Sequence, residues 1–216
     1  MIKRAANIGP GAFFIRIIVA MIPCFALWWF MGDGWLQPAS DMAGAILEWL
    51  LPDSVNSLQL TDGTLQVVSN WGEVQGRLVP ARAAGYALAF ESNVRVLSYS
   101  VPFYFALQTA LWNWNVKKNM VISLLVLYSV VTVSMVFLCA KSVMVGLGGA
   151  FMEANRHWYA SRDFIALGFQ LATLMLPVLV PVFCWIVTNQ SELRSLFMSM
   201  STKPGDESNA EPEESE

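Results

Sequence analysis

FFIRIIVAMIPCFALWWFM, residues 13–31, carries a single charge, Arg16. Its length approaches the ~20 residues that a membrane-spanning helix needs. The Trp28-Trp29 pair at its far end suits a bilayer interface. Arg16 lies near the end that follows the basic start, Lys3 and Arg4, where its head can reach the headgroups while its stem stays among the acyl chains. A cleaved signal peptide competes with this reading, because a basic stretch precedes an apolar one. The run is long, however, ends in bulky residues and has no small-x-small site before Gly32. It reads as an uncleaved first span.

The rest of the chain agrees. Of its 216 residues 56% are hydrophobic and only 13% charged, with a mean hydropathy of +0.50. A soluble domain carries about 25% charged residues, so an ordinary soluble fold is excluded. The net charge of −3 is set largely by the acidic last dozen residues, and no basic block points to nucleic acid. Further apolar runs cover 94–114, 120–140 and 164–188; the first is the least apolar, with Arg95, Gln108 and Asn113 in or beside it. Lys117 and Lys118 in a tight turn favour the cytoplasmic side. The expected fold is therefore an α-helical integral membrane protein with about four transmembrane helices, both termini cytoplasmic, in an inner membrane. The expected parts are 1–31 (basic start and first helix), 32–92 (extracytoplasmic), 93–190 (three membrane helices with an outer loop 141–163) and 191–216 (acidic, disordered tail).

Between the first two runs the pattern changes. Met42, Ala45, Ile46, Trp49 and Leu50 recur at helical spacing over 41–51, too short to span, which predicts a helix on the membrane surface or packed on the outer domain. Leu58-Gln59-Leu60 and Leu65-Gln66-Val67 alternate around Asp62-Gly63, the strongest short-range hairpin signal. Residues 71–79 and 86–91 offer further strands. Two strands alone are marginal in water, so a small β-rich extracytoplasmic insertion of three or four strands is expected.

Chemistry-bearing residues are few. Cys24, Cys139 and Cys184 lie in apolar runs without CxxC spacing and read as small buried hydrophobes. The one histidine, His157, would share a face with Glu153 and Arg156 if 143–159 were helical, a pairing able to move protons. A polar patch at the membrane interface explains the same residues without chemistry. Gly146-Leu147-Gly148-Gly149 is no phosphate loop, since no strand precedes it and no Lys-Ser/Thr follows; close helix packing or a bend explains it better. Pro177 and Pro181 interrupt the last run, yet the spans hold almost no ionisable residue at depth, where a transport path would need one. No catalytic, cofactor or metal site is expected.

ESNVRVLSYSVPFYFAL (91–107) and SRDFIALGFQLATLMLPVLVPVFCWIV (161–187) together resemble the exosortase H-associated membrane protein family. Asn93, Arg95, Tyr99, Pro102, Arg162, Gln170, Pro177 and Pro181 carry the resemblance, which covers about half the chain; Val94, Ser98 and Ser100 stand where the family has more Gly and Pro. The resemblance implies a non-enzymatic accessory protein in a system that processes C-terminal sorting signals. Its implied partners, besides the lipid bilayer, are an exosortase or its substrates, with a homo-oligomer as a further option. Cys24 lacks the Ser-Gly that follows an exosortase's cysteine. Candidate partner contacts are Arg77, Arg82, Asn93, Arg95, Glu153, Arg156, His157 and Arg162. The alternative is a small-solute permease or a structural subunit of an envelope export complex.

Overall fold

The computed structural model describes residues 10–32, 34–111, 117–191 and 193–194; the basic start, residues 112–116 and the acidic tail lie outside them. α1 (Pro10–Phe30) leads through a short 3-10 turn to α2 (Gln37–Leu50). The β segment follows as β1 (Val55–Thr61), β2 (Thr64–Ser69), β3 (Trp71–Val74), β4 (Arg77–Pro80), the single turn α3 (Ala81–Ala84) and β5 (Ala89–Asn93). The remainder is α4 (Arg95–Ser98), α5 (Ser100–Leu111), α6 (Lys117–Leu147), α7 (Gly149–Ala154), α8 (Arg162–Gln170) and α9 (Leu176–Thr188). The protein is thus mostly helical with a β insertion.

Among the described residues three helical stretches are long and apolar enough to cross a bilayer: Gly11–Phe30, Lys118–Leu147 and Arg162–Thr188. The expected span at 94–114 is broken instead into α4 and α5. Tyr99 between them keeps helical angles and its carbonyl accepts from the Phe103 N–H (3.2 Å). Residues 95–111 therefore form one rod of about 26 Å at 1.5 Å per residue, just short of a ~30 Å hydrocarbon core. This rod packs between α1 and α9, and α6 packs on α9 and α8.

α6 decides the architecture. Its 31 residues rise about 46 Å, some 16 Å more than the ~30 Å of hydrocarbon. The insertion is built on the C-terminal turns of α6. β1, β2 and β5 form an antiparallel sheet in the order β1-β2-β5, with β3 and β4 as a separate hairpin. Every second residue of β2 is buried, Leu65 and Val67 completely. One continuous core runs from Leu36, Ala43 and Leu47 through Val55, Leu65 and Val67 to Met135, Cys139, Val143, Leu147 and Ile165. Each fully buried aliphatic side chain facing the outer domain contributes roughly 1.5–3 kcal/mol relative to exposure in water. The sheet, α2 and the top of α6 thus share one core.

The hairpin turn is as expected. Asp62 (φ +48°) and Gly63 (φ +76°) take the positive φ of a type I′ turn between Thr61 and Thr64. Gln75 (φ +51°) and Gly76 (φ +77°) repeat it between β3 and β4, so 71–79 is a second hairpin and not one strand.

Two expectations change. α2 starts four residues early, and its buried stripe is Ala39, Ser40, Ala43, Gly44 and Leu47, against β1 and α6. Small residues let the helices approach closely. The stripe read from the sequence includes Met42 and Trp49, which face outward, Trp49 at 79% exposed. Second, 143–159 is not one helix: α6 ends at Leu147, Gly148 breaks the chain at φ +51°, and α7 stops at Ala154. The stop is explained by Asn155, whose buried amide donates to Ser54 Oγ (2.6 Å) and to the Phe151 carbonyl (3.0 Å).

The last span carries a π turn at Leu171–Met175. Its cause lies in Pro177. The Leu176 N–H reaches back five residues to the Leu171 carbonyl, so the Ala172 carbonyl would need the N–H of residue 177, which proline lacks. Ser134 Oγ of α6 donates to that carbonyl instead (3.3 Å), as hydroxyls do for backbone freed in membrane helices.

Candidate partner-binding surface

The eight candidate contacts fall in three places and form no single constellation. Arg77 and Arg82 are exposed on β4 and α3, beside the second hairpin. Asn93 and Arg95 sit where β5 meets the membrane helices. Glu153, Arg156, His157 and Arg162 are exposed along the outer stretch between α6 and α8.

The middle group is the most structured. The Asn93 carboxamide oxygen accepts from the Arg95 N–H (2.9 Å), turning the chain out of the sheet. The Arg95 guanidinium then lies 4.8 Å from the centre of the Trp29 ring, a cation–π contact worth about 0.5–2 kcal/mol depending on hydration. Next to it the Trp28 indole donates to Ser98 Oγ (3.2 Å), which in turn donates to the Arg95 carbonyl (3.2 Å). Both tryptophans that mark the interface in the sequence are therefore tied to the Asn93–Arg95 turn. This gathers the C-terminal end of α1, the start of α4 and the sheet at one end of the bundle.

The Glu153, Arg156 and His157 group departs from expectation. With α7 ending at Ala154, no helical face joins the three, and the His157 ring stacks on Tyr159 (5.1 Å between centres, 12° between planes). An imidazole held flat on a phenol ring in an exposed segment suits a surface contact. Arg162 opens α8, where Ser161 Oγ accepts from the Phe164 N–H (3.4 Å) as an N-cap. Cys24, Cys139 and Cys184 lie on α1, α6 and α9, all as free thiols. Among the described residues no three of His, Cys, Asp and Glu converge as a metal site.

Sequence reasoning missed the buried polar ties that hold this surface to the bundle. Ser92 of β5 and Ser142 of α6 share a hydroxyl–hydroxyl hydrogen bond (2.7 Å), and Asn155 and Ser54 form the tie described above. Gly146 lets the Phe90 ring lie against α6, for an added Cβ would fall 2.0 Å from Phe90 Cε1. Packing by a glycine of that cluster was the expectation, and Gly148 supplies the bend.

A family model described as exosortase H-associated membrane protein matches residues 7–192. The chain belongs to that family. The match extends well beyond the two stretches that carried the resemblance, and takes in the β insertion and α6. No curated protein and no solved structure matches. In this exosortase H-associated protein some of the residues that carried the resemblance are architectural. Asn93 and Arg95 shape the turn from the sheet into α4, and Pro177 sets the π turn.

Proposed function

We propose that this protein is a non-enzymatic accessory subunit that holds an exosortase or its sorting-signal substrate at the outer face of the inner membrane. In this reading residues 95–111 belong to a fourth span. Both termini are cytoplasmic and the β insertion is extracytoplasmic, as the basic start and Lys117–Lys118 favour. The observation that carries the proposal, beside family membership, is the single core joining the sheet to the C-terminal turns of α6. A domain fixed in this way holds Arg77 and Arg82 at one exposed place and Arg156 and His157 at another, on one rigid frame above the bilayer. Pre-organisation of that kind lowers the ordering cost of binding.

The permease reading draws on buried polar pairs in the other half of the bundle: Asn189 with Gln108 (2.9 Å) and Ser123 with Thr188 (2.9 Å). These are neutral amides and hydroxyls between helices, which serve as interhelical ties. The accessory reading is therefore preferred.

A photoreactive amino acid placed in turn at Arg77, Arg82, Arg156 and His157, irradiated in native membranes, tests it. Adducts with an exosortase or a sorting-signal protein are expected at several of these positions. Their absence at all four, with adducts only from cytoplasmic positions, refutes it. Single replacement of Cys24, Cys139, Cys184, Glu153 or His157 by Ala should leave processing at least partly intact. Abolition by one of them, with normal accumulation, would make the chain an enzyme.

A further inference from the structure

Among the described residues five buried side-chain atoms have no hydrogen-bond partner. Four of them, Ser100 Oγ, Tyr104 Oη, Trp185 Nε1 and Asn189 Oδ1, lie on α5 or on α9 and its C-cap. The two helices run parallel. α4, at the head of the rod that holds α5, packs on the π turn before α9, and further along Gln108 Oε1 accepts from the Asn189 amide (2.9 Å). Trp185 stands to Tyr104 at the same offset of 81 residues as Asn189 to Gln108, so it faces Tyr104 one turn nearer the β insertion. Ser100, Tyr104 and Gln108 recur every fourth residue as one stripe of α5, each at most 1% exposed. Trp185 is held on its other side by stacking on Phe13 of α1 (5.8 Å between centres). The stranded atoms thus mark a single seam, in a part of the chain where no bulk water can satisfy them.

We infer that the α5–α9 seam binds a short file of water molecules that bridges these four atoms. The donors and acceptors select the ligand. The indole N–H only donates, the amide oxygen only accepts, and the two hydroxyls do both. α5 and α9 carry no charged side chain, and Arg16 of α1 is exposed. An anion would meet the Asn189 oxygen and a cation the indole N–H, whereas water donates and accepts. Spacing agrees: successive stripe residues lie about 6 Å apart along the axis, which two hydrogen bonds of about 2.8 Å through one water nearly span. Water also has an entry. A polar hollow of about 360 Å³ lies between the first turn of α6 and the end of α9, lined by Asn119, Thr188, Gln190, Ser191 and Arg194 among others. Its Thr188 bonds Ser123 of α6 (2.9 Å) and adjoins Asn189. At the other end Val94 and Leu97, both buried, belong to the apolar core under the sheet, so the file is blind there. The inference does not depend on the accessory role.

The test is solid-state NMR of the ¹⁵N-labelled full chain in lipid bilayers, reading magnetisation passed from water to protein N–H groups. The Trp185 indole signal is assigned by its loss in Trp185→Phe. It should receive water magnetisation roughly fivefold or more faster than the Leu127 amide, which is as deeply buried in the same cluster but far from any stranded polar atom, because bound water is a direct neighbour of the indole alone. Equal rates, or transfer to the indole from lipid acyl protons and not from water, overturn the inference, and this arm needs no variant in the seam. Tyr104→Phe supplies a test of sign. Removing a hydroxyl that binds water should lower the thermal midpoint, whereas removing one that is dry and unpartnered should raise it or leave it unchanged; a raised or unchanged midpoint overturns the inference. Ser191→Trp, which fills the hollow, should slow deuterium exchange of the Trp185 indole severalfold, and unchanged exchange overturns entry from that end.

Discussion

Gly146→Ala tests how the outer domain is fastened to the bundle. The new methyl would lie 2.0, 2.5 and 2.6 Å from three Phe90 ring atoms. Carbons pack at about 3.5–4.0 Å, so the ring must retreat about 1.5–2 Å or β5 must lift from α6. Overpacking of this order costs about 1–3 kcal/mol. Against it, Ala is favoured over Gly in a helix by up to about 1 kcal/mol, so the net loss in the native background is about 0–2 kcal/mol. The sign is therefore best read in two backgrounds. In Phe90→Ala, where the clash is gone, Gly146→Ala should be neutral or stabilising, giving a coupling of about 1–3 kcal/mol between the positions. At 1.4 kcal/mol per tenfold, that is about a 5- to 140-fold difference in the effect on the opened fraction. Pulsed proteolysis of the detergent-solubilised protein across a denaturant series measures it. Equal effects of Gly146→Ala in both backgrounds would refute the packing argument.

Gly63→Val puts a β-branched residue at φ +76° and should weaken the outer domain by about 1–3 kcal/mol; unchanged protease resistance of the β segment would contradict the type I′ turn. Asn155→Ala strands Ser54 Oγ in a buried site and should cost about 1–3 kcal/mol, seen as faster cleavage near Asp53, whereas Glu153→Ala on the exposed side should not. Ser134→Ala leaves the Ala172 carbonyl bare and should cost about 0.6–1.7 kcal/mol in thermal unfolding, the range for interhelical hydrogen bonds. In Pro177→Ala, which restores a donor, that loss should shrink. Cysteines placed at Asp62 and Glu153 should react with an impermeant thiol reagent in spheroplasts, and one at Ser199 should not; the reverse pattern reverses the proposed orientation.

What could be read from the sequence was what local chemistry controls. Asp62-Gly63 announces its own turn, and residues 13–31 announce a span, because each needs nothing from the rest of the chain. Gln75-Gly76 makes the same turn, but glutamine lacks the short side chain that makes Asn or Asp a signal there, so the second hairpin read as one strand. The end of α6 is hidden in the sequence because 120–140 already has the length of a span; nothing in its periodicity says that the helix runs on to Leu147 and carries a sheet. α2 was assigned the wrong face for a related reason. Its apolar arc is wide enough to pack on one side and face outward on the other, and the bulky residues that dominate the pattern, Met42 and Trp49, are on the outward side. The candidate arginines were visible as charges, while Asn93 and Arg95 gained their roles only from Trp29, distant in sequence.

The packing of the sheet on α6 bears on how such a surface works. A three-stranded sheet with one apolar face needs a cover, and here that cover is the continuation of a membrane helix. Separating the two would bare Val143, Leu147 and Phe151 on one side and Leu65 and Val67 on the other, all buried in the closed form. Each aliphatic residue so exposed to water would cost roughly 1.5–3 kcal/mol, and the Ser92–Ser142 and Asn155–Ser54 hydrogen bonds would go with them. The β insertion is therefore not a tethered head that swings on a linker. Its strands are held in fixed register with α6, and through α6 with α8 and α9. A molecule gripping the insertion is set at one height and one angle relative to the membrane helices, the geometry a protein needs when its task is to position a partner for chemistry carried out by another chain.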